Sequence, residues 1–270
     1  MTAVSIDTSK LSRNGVSPGW LGAIGLAALV ILLEIIPRVG IVSPQFLPPF
    51  SQIMTALAEQ VVVPEFWTAL LSTLTGWSIG LGIAAIAGVL AGLLVGGISS
   101  LTAITHSTVE FLRPIPSVAL IPLAILLYGS DMRATLILVI YASFWQIFVQ
   151  VLYGVRDVDP VARETAQSYR FRRLSKVRYV IWPTTLPYVA TGFRLAAAVA
   201  LILEVTGELV IGSPGLGKEI ALAQGSGAVA PVYALVVVTG LLGLIVNIGA
   251  RILERRILHW HPSILRETLR

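Results

Sequence analysis

Residues 66–95 read FWTALLSTLTGWSIGLGIAAIAGVLAGLLV, and no Asp, Glu, Lys or Arg interrupts them. A bilayer core is crossed by roughly 20 apolar residues, so this one stretch is long enough to span it with residues to spare. The whole chain has the same character. It has 270 residues, of which 56% are hydrophobic and only 12% charged, and its mean hydropathy is +0.85. Soluble domains carry about twice that charged fraction. Length alone would allow one or two soluble domains, but the apolar runs leave no room for a separate one.

Working outward from 66–95, five further spans can be drawn. The first runs from about Trp20 to Ile36. The third lies near Ser117–Tyr128 and is punctuated by Pro114, Pro116 and Pro122, so it is expected to start near Leu101 as a kinked helix. The fourth is Ala134–Leu152, the fifth Pro187–Ile211 and the sixth Val232–Leu253. The expected fold class is therefore all-α integral membrane, with about six transmembrane helices. Within the second span, Gly76 and Gly80, and again Gly88 and Gly92, have the G-x-x-x-G spacing that lets helix backbones approach closely. Residues 1–18 are polar and the first apolar run is too long for a cleaved leader, so that run is expected to be a retained span.

The net charge of +5 and the pI near 9.8 would suggest nucleic acid in a soluble protein. Here the basic residues lie between the spans and set topology instead; no nucleic-acid partner is expected. With the N-terminus inside, most of the 19 lysines and arginines fall on the inner side: Lys10, Arg13, Arg113, the group between Arg156 and Arg178, and the tail from Arg251 to Arg270. Arg38, Arg133 and Lys218 fall outside, and Arg194 near the start of the fifth span. Both termini are then cytoplasmic. The expected division is a cytoplasmic tail at 1–18, a membrane domain at 19–258 and a second cytoplasmic tail at 259–270.

Several chemistries are excluded or weakened. There is no cysteine, which removes disulfides, thiolate metal sites and Cys nucleophiles. His106, His259 and His261 form no metal-spaced cluster with carboxylates. Gly212, Gly217 and Lys218 fit G-x-x-x-x-G-K, but a phosphate loop requires Ser or Thr next and a strand before it. Glu219 and a membrane span stand in those places, so nucleotide binding is not expected of this chain. Ser, His and carboxylate residues show no grouping that suggests a nucleophile with its base.

The connection between the fourth and fifth spans is RDVDPVARETAQSYRFRRLSKVRYVIWPTTLP, residues 156–187. It is longer than a turn needs and too short for its own core. Pro160 suits the first turn of a short helix, with Asp159 as its cap, and Asp157, Asp159 and Glu164 lie where acids favour a helix N-terminus. Such a helix on the cytoplasmic face is either a docking element or a basic loop that only sets topology. Glu164-Thr165-Ala166, Arg170 and Val180-Ile181-Trp182-Pro183 resemble the cytoplasmic "EAA" loop of ABC-importer permeases. Glu164, Ala166 and Pro183 match that pattern and Val180 is a conservative match, whereas Thr165, Trp182 and Arg170 depart from it. Arg170 stands where the family has Gly.

The resemblance extends to FLRPIPSVALIPLAILLYG (111–129), PYVATGFRLA (187–196) and GELVIGSPGLG (207–217). By pattern the chain is similar to permeases of the nitrate/sulfonate/taurine importer group, over roughly residues 60–255. The resemblance implies a type I importer permease in the cell membrane, a transport subunit and not an enzyme. It also implies a cytoplasmic ABC ATPase dimer carrying ATP and Mg, an external solute-binding protein, and a second permease copy making a homodimer. Coupling to the ATPase would run through a helix at Asp159–Tyr169 within a loop at about 156–186, with Glu164 as polar anchor. Arg163, Thr165, Ala166 and Arg170 would lie in the same contact. Arg163, Arg172 and Arg173 are secondary contacts to the ATPase or charges facing lipid headgroups.

For the solute path, acids within spans are candidates because burying them is costly. Glu204 and Glu208 share a face of the fifth span at i and i+4, and Glu208 coincides with the family's acidic position. Either they face the path, which would favour a cationic, zwitterionic or neutral solute, or they pair with hydroxyls or an Arg and fix packing. Glu34 in the first span has weaker standing. Trp145 and Gln146, in the middle of the fourth span, either meet solute or join neighbouring helices. The competing function is a stand-alone secondary transporter, which would need paired broken helices in inverted repeats; no internal repeat is evident.

Overall fold

The computed structural model describes residues 18–259; the tail residues Lys10, Arg13, His261, Arg266 and Arg270 lie outside them. The described residues form helices and connections, with no strand among them. In order they are α1 (Pro18–Arg38), α2 (Phe50–Val62), α3 (Pro64–Gly97), α4 (Ser99–Leu112), a 3-10 turn at Ser117–Leu120 and α5 (Ile121–Tyr128). Then follow α6 (Met132–Arg156), α7 (Pro160–Ser168), α8 (Arg173–Lys176), a π-helical turn at Val177–Ile181, α9 (Trp182–Ile211), α10 (Leu216–Gly225) and α11 (Val229–Ile257). Among the described residues five helices are long and apolar enough to cross a membrane: α1, α3, α6, the α8–α9 run from Arg173 to Ile211, and α11. The pair Ser99–Leu112 and Ser117–Tyr128, bent by 82° at the break between them, makes a sixth when taken together as one broken span, the third in chain order.

α6 is the centre of the core, packed between α3 and α9. Its approach to α3 depends on small residues. A Cβ at Gly80, Gly88, Gly92 or Gly96 would run into Val139, Ile147, Val151 or Val155 of α6, respectively. Ala84 continues the same stripe and is fully buried. The G-x-x-x-G spacing thus serves a seam within the chain, where small residues let a neighbouring helix come close. The opposite side of α3 exposes Ile79, Ile83, Ile86, Leu90 and Leu94, an apolar face suited to lipid or to another apolar helix. At 34 residues α3 is about 51 Å long by the α-helical rise, well beyond a hydrocarbon core of about 30 Å.

α9 meets α6 on one side and α10 and α11 on the other. Trp77 of α3 donates its indole N–H to the Ala197 carbonyl (2.9 Å), tying α3 to α9 as well. α1 stands apart, with Trp20, Ile24 and Leu26 exposed. Its link to the body is polar: Glu34 accepts from the Ser51 backbone N–H (2.9 Å) and hydroxyl (3.0 Å) in the first turn of α2, and pairs with Arg38 at 2.5 Å. Glu34 therefore caps a helix.

The structure differs from the sequence-based expectations in two places. α2 and α10 were not foreseen; both are short, and their buried positions (Ile53 and Ala56; Leu216 and Ile220) keep helical spacing. The helix of the fifth span begins at Arg173 and not at Pro187, because a π-helical turn carries it into Pro183, and a turn of that kind relaxes the hydrogen-bond ladder that proline interrupts. The break between α4 and α5 is tied to α6, where the Tyr141 hydroxyl donates to the Leu112 carbonyl (2.5 Å).

Candidate functional site

Three groups of polar residues stand out, and each is positioned by different physics. The first is α7. Asp159 is its N-cap, accepting from the Val161 N–H (2.8 Å), and Pro160 occupies the first helical position, where a missing N–H costs nothing. The Arg163 guanidinium donates to the Val155 carbonyl near the end of α6, and Val158 is buried in the core shared by α6 and α9. Tyr188 of α9 donates to Asp157 (2.8 Å).

At the other end of α7 the Phe171 N–H bonds the Ala166 carbonyl and the Arg170 N–H bonds the Gln167 carbonyl, both at 2.9 Å. This is a Schellman turn, which requires a left-handed residue after the cap. Arg170 supplies it, with φ 54°, the only positive φ at a non-glycine among the described residues. The turn thus keeps the shape a glycine would give and carries the strain of a side chain there. Ala166 is the one buried residue of α7. Glu164 and Thr165 are exposed, as are Val161, Tyr169 and Leu174. Arg170, Arg172 and Arg173 are exposed too.

The second group is the pair Glu204 and Glu208, 1% and 0% exposed. Glu208 Oε2 accepts from the Thr73 hydroxyl (3.0 Å) and from the Gly217 N–H (2.9 Å), while Thr73 Oγ1 in turn accepts from the Leu216 N–H (2.9 Å). The carboxylate thus fixes the N-terminus of α10 against α3 and α9. Glycines make the room: a Cβ at Gly76 would fall inside the Glu204 carboxylate, and one at Gly215 inside that of Glu208. Glu204 Oε2 and Glu208 Oε1 are buried without hydrogen-bond partners. The Gly-x-x-x-x-Gly-Lys stretch belongs to this packing. Gly212 takes a left-handed φ of 79° to cap α9, and Gly217 touches the α9 backbone at Val205 and Leu209.

The third group surrounds the break in the third span. A cavity of about 310 Å³ is lined by Arg113, Ser117, Tyr141, Trp145, Gln146, Gln150 and Tyr153 together with apolar residues, and no carboxylate lines it. Trp145 and Gln146 thus come together here, and Glu204 and Glu208 do not join them. Trp145 packs edge-on to Tyr141, Phe144 and Phe148, and its indole N–H is buried without a partner. A second cavity of about 600 Å³, lined by Gln150, Asp157, Thr184, Tyr188 and Thr191, shares Gln150 with the first and lies at the α7 end of α6. Arg113 and Gln150 were not singled out from the sequence. The signal for Arg113 was present, a cation flanked by prolines inside an apolar stretch. Among the described residues no three His, Asp or Glu side chains are grouped to hold a metal.

The comparisons with known proteins agree with this architecture. Residues 84–259 match the family described as binding-protein-dependent transport system inner membrane component. The putative aliphatic sulfonates transport permease of Bacillus subtilis (strain 168) is 27% identical, over 91% of this chain and 89% of its own. The taurine transport system permease of Escherichia coli (strain K12) is 28% identical, over 88% and 89%. Among solved structures, a bacterial ABC transporter involved in the import of the acidic polysaccharide alginate shares the fold, with a TM-score of 0.63 at 16% identity over 92% of this chain and 99% of that one. The chain belongs to the binding-protein-dependent transport system inner membrane component family, and it is a membrane-spanning permease subunit of an ABC importer, a transport component and not an enzyme.

Proposed function

We propose that this permease passes a sulfonate-bearing solute inward and that α7 is the element through which a separate ATPase drives it. A permease of an ABC importer is a multi-pass protein of the inner membrane and works with an ATPase and a solute-binding protein. In this reading the ATPase is a cytoplasmic dimer carrying ATP and Mg, the binding protein docks externally, and two copies of this chain form the core, since closed two-fold pairs dominate homo-oligomers. Both termini face the cytoplasm, with tails at 1–18 and 259–270 flanking the membrane domain.

The observation that carries the coupling role is the combination in α7 of firm attachment and outward exposure. Arg163 on the Val155 carbonyl, buried Val158 and the Tyr188–Asp157 bond hold it to the body, and the Asp159 cap and the turn at Arg170 fix its two ends, while Val161, Tyr169 and Leu174 present apolar surface beside Glu164. A loop that only set topology would need its charges but neither the cap nor the exposed apolar side chains. Co-purification of the detergent-solubilised chain with its ATPase tests this. Glu164→Ala is expected to weaken the complex and Glu164→Arg to abolish it, with the membrane fold unchanged by size-exclusion profile. Full retention of the ATPase by Glu164→Arg, or transport by the chain alone in liposomes, would sink the coupling role.

The solute class follows the named cargo of the relatives, aliphatic sulfonates and taurine. A cationic, zwitterionic or neutral solute was favoured only if Glu204 and Glu208 faced the path. Both are enclosed by α3, α9 and α10, off the cavity that Trp145 and Gln146 line.

A further inference from the structure

We propose that Arg113 and the amide and hydroxyl groups around it form an anion-binding station inside the permease, at the break between α4 and α5. The inference rests on the reading that the solute carries an anionic headgroup, and adds where in this chain that headgroup is held.

The first argument is position. Arg113 lies at the break between α4 and α5; the neighbouring Leu112 carbonyl bonds Tyr141, in the body of α6, and the cavity that Arg113 lines includes Trp145, Gln146 and Gln150. The second argument is the absence of a fixed partner. The Arg113 side chain is exposed and makes no ion pair or hydrogen bond among the described residues. The buried acids Glu204 and Glu208 are enclosed in the α3–α9–α10 packing. The charge of Arg113 is therefore open to an anion in the cavity.

The third argument is the chemistry of the lining. Gln146, Gln150, Ser117 and the unpartnered Trp145 indole supply N–H and O–H donors, and no carboxylate opposes them. Arg is the side chain best suited to grip an oxyanion through two parallel N–H bonds. The volume of about 310 Å³ is at the small end of the range for small-molecule sites. The fourth argument is continuity. Gln150 borders both this cavity and the 600 Å³ one that reaches Asp157, so an anion released by Arg113 has a polar route to the α7 end of the chain. A broken helix frees backbone groups where a cavity can use them, and here a cation beside the break lines the cavity.

Trp145 provides the readout. The full chain in phosphatidylcholine nanodiscs is titrated with methanesulfonate and with dimethyl sulfone, its neutral near-isostere, while indole fluorescence is followed against a Trp145→Phe background. The wild type should respond saturably to methanesulfonate and not to the sulfone. Arg113→Gln should weaken the response about tenfold or more, the scale of a lost charge-assisted pair, and Arg113→Lys only a few-fold. Gln146→Leu, which leaves the charge in place, gives a second, smaller loss if Arg113→Gln fails to accumulate.

Unchanged binding by Arg113→Gln, equal competition by the sulfone, or no saturable response in the wild type would each overturn the site. So would a Trp145 change that follows anionic nanodisc lipid and not methanesulfonate, since it would assign Arg113 to a lipid headgroup. ATPase co-purification is read on the same samples. Its failure with an intact methanesulfonate response counts against coupling, and the converse counts against the anion station alone.

Discussion

Two places in the membrane domain hold charged side chains, and they are built in opposite ways. Glu204 and Glu208 sit in dense packing, ringed by Gly76, Gly215 and Gly217, with Thr73 and a helix N-terminus donating to Glu208. The Arg113 side chain is exposed at the break between α4 and α5, lines a cavity and has no hydrogen-bond or ion-pair partner among the described residues. The first arrangement spends buried acids on holding α3, α9 and α10 together. The second leaves a cation available. Charge near or within a span is therefore a poor guide to the solute path until its packing is known.

The comparison can be broken most forcefully at Gly217. Its Cβ position lies against the α9 backbone, which no rotamer change can relieve. Gly217→Ala should cost about 3 kcal/mol, the upper range for overpacking, seen as a large fall in thermal midpoint in detergent; a midpoint within a degree of wild type would mean α10 is not locked as described. Glu208→Leu should cost about 2 kcal/mol by leaving the Thr73 and Gly217 donors unpaired, with Glu208→Gln recovering much of it through its amide oxygen.

Arg113→Gln should change the midpoint by less than about 0.5 kcal/mol equivalent, as expected of a side chain without partners, while transport falls. A large thermal loss there would put Arg113 in the structural class and erase the contrast. An effect of the opposite sign is expected at Arg170, exposed and strained without being packed. Arg170→Gly should stabilise the turn by about 1 kcal/mol, read as slower amide exchange at Arg170 and Phe171.

The broad architecture was legible because a bilayer imposes its length on sequence. The uninterrupted stretch at 66–95 and four similar runs correspond to the helices that cross. The cap at Asp159 was legible as well, since an Asp-Pro pair before a helical segment has only local requirements. What escaped were features set by partners far along the chain. Glu208 is bonded by Thr73, 135 residues away, and nothing near position 208 distinguishes a packed acid from one facing a path. The three prolines announced a kink in the third span but not its 82° angle. At Arg170, which stands where the family has Gly, the sequence did not show the turn's shape; two backbone hydrogen bonds keep the left-handed geometry.

The seam between α3 and α6 also bears on how force passes through the molecule. Along it, Gly80, Gly88, Gly92 and Gly96 meet Val139, Ile147, Val151 and Val155. Glycine has no rotamers to yield, and β-branched side chains are stiff at their first torsion. Such a seam has low compliance: a push cannot be absorbed by side chains changing shape. α6 ends where Arg163 of α7 grips the Val155 carbonyl, at the last rung of this ladder. In the coupling proposed for α7, a displacement delivered there would pass to α3 and α6 together, as to one lever.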